Sequence, residues 1–153
     1  MPPRNLHAGD RAAAEAIRTA GSRLSARALA AALDIDPTMR ERHDEYVRQS
    51  LQSDLQAFVD RLIAAVASGD PRHMASFADL VAVRYRKRKI AMDDVITLCE
   101  GLRRAAGSVV DPGAQPSIDE AIDEAIAVFK WHRRLAGDAR KRNPLLAFIY
   151  RGA

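Results

Sequence analysis

Residues 77–102, FADLVAVRYRKRKIAMDDVITLCEGL, decide how this chain folds. Phe77, Ala78, Val81 and Tyr85 recur at helical spacing, and Val95, Ile96, Cys99 and Leu102 do the same further on. Between them lies Arg84-Tyr85-Arg86-Lys87-Arg88-Lys89, with five cations in six residues. Ile90-Ala91-Met92 then leads to Asp93-Asp94, an acidic pair suited to a helix start. The stretch reads as helix, basic corner, helix. Neither helix can bury its apolar face alone, so the pattern predicts an all-α helical bundle.

The same punctuation continues on both sides. Gly69-Asp70-Pro71 places Gly beyond one helix end, Asp as a cap and Pro at the start of the next. Upstream, a helix predicted from Pro37 to about Ser68 carries Val47, Leu51, Leu55, Phe58, Leu62 and Val66 on one face. Its first turns, Arg40 to Glu45, are charged nearly all round. Its length of roughly 45 Å exceeds its apolar stripe. Before the Asp34-Ile35-Asp36-Pro37 break, an Ala-rich helix is predicted over 11–33, capped by Asp10, with Ile17, Leu24, Ala28 and Ala31 on its weak stripe. It can dock on its own chain or act as an adapter for another.

Downstream, the helix that starts at Asp93 or Asp94 should end near Val110, and 111–116 reads as a loop. Ser117 and Glu120 have capping-box spacing. The helix they open carries Ile118, Ile122, Ala125, Ile126, Phe129 and Leu135, with acids in its first turns and bases in its last. Asn143-Pro144 should stop it. The expected architecture is a bundle of about five helices. Its up-down core spans 37–142, beside the Ala-rich N-terminal helix and a short apolar C-terminal segment. A flexible arm, 1–9, precedes a single helical domain, 10–153.

The chain has 153 residues, of which 24 are basic and 20 acidic, a net charge of +4. That suits one domain with a mixed surface and permits, without requiring, an anionic partner. Eight aromatic residues among 48 % apolar residues imply a core of Leu, Ile, Val and Ala. One cysteine, Cys99, forms no internal disulfide, so a reducing, cytoplasmic compartment is expected. No apolar run approaches the roughly 20 residues of a membrane span, and no apolar signal core opens the chain.

Candidate sites are few. Arg84, Arg86, Lys87, Arg88 and Lys89 form a candidate anion or nucleic-acid patch, with Tyr85 available to stack on a base; a helix end whose cations complement the dipole explains the same residues. Leu145, Leu146, Phe148, Ile149 and Tyr150 form the most apolar short run and are candidate partner anchors. No Glu lies three residues before any of His7, His43, His73 or His132, and no His-x-x-x-His occurs, so no metal or cofactor is expected. Cys99 on an apolar face reads as a buried, inert thiol. His132 reads as a surface or boundary residue. No phosphate loop or nucleophile elbow is present, and no catalytic residue is nominated.

Residues 50 to 110 carry a long apolar helix, Ala67-Ser68-Gly69-Asp70, a helix ending at Arg84, a polar corner, Met92-Asp93-Asp94-Val95 and Leu102-Arg103. This stretch resembles the helical N-terminal regulatory modules of bacterial signalling proteins of the RsbR-type co-antagonist and PucR-like kinds, although their corner usually contains Gly and is not strongly basic. The resemblance implies a non-enzymatic sensory or interaction bundle. The expected function is regulatory or adapter work through a protein partner or self-association as a homodimer or larger assembly. The alternative is nucleic-acid binding through the corner 84–89.

Overall fold

The computed structural model describes residues 8–142, with side chains to Ala136. Seven α-helices and no strand lie among them: α1 (Arg11–Ala20), α2 (Ser22–Ile35), α3 (Met39–Arg42), α4 (Glu45–Ser68), α5 (Arg72–Lys87), α6 (Met92–Gly107) and α7 (Gln115–Arg142). The chain is all-α, as its periodicity predicts. The count exceeds five because two of the expected helices are broken.

The helix expected over 11–33 breaks at Gly21, whose φ of 57° and ψ of −139° favour glycine. Its N–H bonds the carbonyls of Arg18 and Ile17, which ends α1. The helix expected from 37 to 68 breaks at His43, whose backbone is extended. Asp44 then caps α4, its carboxylate accepting from the Val47 N–H at 2.9 Å. The charged first turns therefore belong to α3 and a corner, not to a projecting helix. At the other end, a short 3-10 turn, Pro112–Ala114, runs straight into α7, so Ser117 lies inside that helix and does not cap it. No helix of the described residues is long and apolar enough to cross a membrane.

Helices α1 and α2 belong to the same core as the rest. Ala13, Ala14, Ile17, Leu24, Ala28 and Ala32 are buried in one cluster with Leu51, Phe58, Leu98 and Phe129. The Ala-rich stripe buries little area per residue but allows very close approach. Helix α2 makes its broadest contact with α6, and Gly101 sits at the crossing. A Cβ built there would lie 2.2 Å from the Ala28 carbonyl oxygen and 2.8 Å from the Ala32 nitrogen, both backbone atoms. The opposite half of the core is aromatic. Phe58 on α4 meets Phe77 on α5 edge-on, with ring centroids 5.0 Å apart, and Phe129 on α7 packs against Phe58 and Tyr85.

Charged clamps tie the helices at the rim. Arg103 on α6 bonds Glu100 and Asp119 at 2.9 Å each and also pairs with Asp123, which joins α6 to α7. Burial works against the Arg103 charge, but these carboxylates outweigh it and hold the guanidinium firmly protonated. The acids of α7 thus serve an interhelical contact as well as the helix dipole.

Gly101→Ala should force α2 and α6 apart. The expected cost is about 2 kcal/mol, roughly 6 °C in Tm for a chain of this size. Thermal unfolding followed by circular dichroism measures it; an unchanged or higher Tm would mean that the helices do not cross this closely.

Candidate functional site

The basic corner is a helix C-cap built from the local sequence. Helix α5 ends at Lys87, and Lys89 takes a φ of 59°, the left-handed region that favours glycine. The Ile90 N–H bonds the Tyr85 carbonyl at 2.9 Å, and the Lys89 N–H bonds the Arg86 carbonyl at 3.1 Å. This pair of bonds is the Schellman arrangement, with Ile90 folded back as its buried apolar residue.

The five cations of the corner divide. Arg88 is held in place: it bonds Asp54 at 2.8 Å and Ser50 at 2.7 Å on α4, and it lies over the Tyr85 ring. Tyr85 is 2 % exposed, so it is a core residue and offers no face to a base. Burial, followed by the nearby Asp54 charge, pushes its phenol well above the ordinary value. Arg84, Arg86, Lys87 and Lys89 have no carboxylate within 4.0 Å among the described residues. Of these four only Arg84 borders a small cleft of about 140 Å³, lined also by Asp54, Phe77, Val81, Tyr85 and Arg88. A larger hollow of about 450 Å³ between α1 and residues 109–114 is walled mainly by Ala and Val. Of its two carboxylates, Asp10 and Asp111, the first caps α1.

Asp94, expected as a possible cap, is buried. The residue ahead of α6 is Ala91. The Asp94 carboxylate accepts from Arg42 at 2.7 Å and meets His43 Nε2 at 2.7 Å. Arg42 also reaches Asp36 at 2.7 Å. Hydrogen bonds to Asp94 and then Asp36 hold Arg42 above its ordinary value. The broken helix start at His43 therefore has a purpose: it aims Arg42 and His43 at α6. Local sequence cannot show this, because the partners lie 51 and 52 residues away. Cys99 is fully buried, and burial raises its thiol to about 12, which leaves it unreactive in the folded chain.

The feature that sequence reading passed over is on the outer side of α5 and α7. These helices run side by side in the same direction. Pro71 and Arg72 lie near Glu120 and Glu124, and further along His132 Nε2 meets Asp79 Oδ1 at 2.9 Å. His132 is buried rather than at the surface, with Nδ1 unpartnered among the described residues. Because Asp79 and His132 face each other, helical spacing turns Leu80 and Val83 on α5 and Trp131 and Leu135 on α7 to the same outer side of this bond. All four remain open: Leu80 (56 % exposed), Val83 (41 %), Trp131 (49 %) and Leu135 (41 %). Leu135 was expected in the core. It lies six residues beyond Phe129, about 240° around the helix, and Ala136 takes the inward position.

The expected anchors Leu145, Leu146, Phe148, Ile149 and Tyr150 lie outside the described residues. Among the described residues no group of three or more His, Cys, Asp or Glu side chains could hold a metal ion. No family model, curated protein or solved structure matches this chain.

Asp94→Ala should leave His43 buried without its partner and Arg42 without its inner carboxylate, at a cost of about 3 kcal/mol. Urea unfolding measures the loss; a change below about 0.5 kcal/mol, the range of ordinary surface substitutions, would mean that the cluster does not hold α3 to α6.

Proposed function

We propose that this chain is a non-enzymatic regulatory or adapter bundle that works by protein–protein contact. The observation that carries the reading is the cluster of Leu80, Val83, Trp131 and Leu135 across two neighbouring helices. Scattered exposed apolar residues are ordinary, but four large ones flanking a single interhelical bond make a contact surface. The resemblance of residues 50–110 to regulatory modules of bacterial signalling proteins supports the same reading. Self-association belongs to the proposal as a second form of protein–protein contact. A cytoplasmic setting accords with a single, buried cysteine.

A second reading is nucleic-acid binding. Its support is the unpaired state of Arg84, Arg86, Lys87 and Lys89 among the described residues. Tyr85 is unavailable for stacking, which leaves only a phosphate-type contact.

A photoreactive phenylalanine analogue placed at position 80 or 131 tests the first reading in the cells that make the chain. The expected result is a discrete protein adduct at both positions and none at Gln49, an exposed site on α4. The adduct at 131 should disappear when Leu80→Asp and Val83→Asp are added. No adduct, or the same adducts at Gln49, would contradict the proposal.

A further inference from the structure

The charge around the outer face of α5 and α7 selects among occupants. Arg84 lies four residues after Leu80, and Lys87 four after Val83, so each extends its apolar neighbour's face along α5. On α7, Arg134 follows Trp131 by three, so it borders the same face. None of these three cations has a carboxylate within 4.0 Å among the described residues. The acids on the same side are Asp79, which is taken by His132, and Glu120 and Glu124, eleven and seven residues before Trp131 at the far end of the seam. The neighbouring Arg133 is already paired with Asp93. The surface is thus an apolar strip with a rim of free cations near one end.

We infer that this face binds an acidic amphipathic helix of a partner protein, with Leu80, Val83, Trp131 and Leu135 taking its apolar stripe and Arg84, Lys87 and Arg134 its carboxylates. The inference rests on the protein-contact reading above and adds the chemistry of the partner. Two parallel helices side by side leave a shallow groove between them, a shape suited to a third helix. A second copy docked with its helices in the same direction would bring these cations against themselves, and only an antiparallel copy, with them over Glu120 and Glu124, would escape that repulsion. Nucleic acid would satisfy the cations but leave the four apolar side chains without a complementary surface, since bases stack on flat, accessible rings and only Trp131 provides one.

The chain contains one tryptophan, and it lies in this face, so its emission reports occupancy directly. The test titrates the full chain with designed amphipathic helices of about 18 residues. They share one Leu stripe and differ in polar faces, rich in Glu or in Lys. A short single-stranded oligonucleotide is titrated in parallel. In the free chain, Trp131 should emit as a solvent-exposed indole at every protein concentration. The Glu peptide should shift it to the blue, at least about tenfold more tightly than the Lys peptide and with less affinity at high salt. Leu80→Asp with Val83→Asp should abolish the shift. Arg84→Glu, Lys87→Glu and Arg134→Glu together should reverse the preference, and all of these exposed substitutions should leave the circular dichroism melt near that of the parent.

Equal binding of the two peptides would overturn the acidic partner and leave protein docking standing. No shift with either peptide would overturn both. A shift with the oligonucleotide alone would replace them with nucleic-acid binding. Blue emission that grows with protein concentration would seat a second copy on the face, and blue emission at the lowest concentration would seat another segment of the same chain; either overturns the inference.

Discussion

The structure depends on how closely α2 can approach α6. The absence of a side chain at Gly101 lets the backbone of Ala28 and Ala32 rest against it, and that contact brings the Ala-rich helices into the core. Ala buries too little area to hold two helices together at ordinary spacing. At close spacing the dispersion contacts of many small atoms replace what large side chains would supply. The Asp94 cluster and the Asp10 N–H bond to the Val66 carbonyl at 2.9 Å then fix the two ends of the N-terminal layer.

That arrangement decides which surface is left over. Helices α1 and α2 lie against α4 and α6, so the outer sides of α5 and α7 receive no covering helix from the described residues. The inward positions of both helices are filled: Met74, Ala78, Val81 and Tyr85 on α5, and Ile118, Ile122, Ala125 and Phe129 on α7. Leu80, Val83, Trp131 and Leu135 stand outside that set. They are apolar surface that the described fold leaves exposed.

Helical periodicity made the fold class and the placement of α5 and α6 legible, because Gly69, Asp70 and Pro71 punctuate the chain strongly and the apolar spacing on either side is regular. The break at Gly21 was not, since one Gly inside an Ala-rich run carries little local signal and its effect comes from how Ile17 and Leu24 must both reach the core. The break at His43 was hidden in a stretch with no apolar period. Asp94 was read by the local logic of helix starts, which cannot see Arg42 and His43 arriving from another part of the chain. The basic corner was located by sequence, but its division into one pinned Arg and four free cations depends on Asp54 and Ser50 of α4. The α5 and α7 face escaped notice because its four members come from two helices and become neighbours only once Asp79 meets His132.

The central claim is that this face is built for contact and is not a misplaced part of the core. The most direct measurement is the unfolding free energy of a chain with Leu80, Val83, Trp131 and Leu135 all replaced by Gln. The account predicts a stability within about 2 kcal/mol of the parent, as four surface substitutions at up to about 0.5 kcal/mol each allow. A loss of several kcal/mol would place these residues in the core and contradict the account.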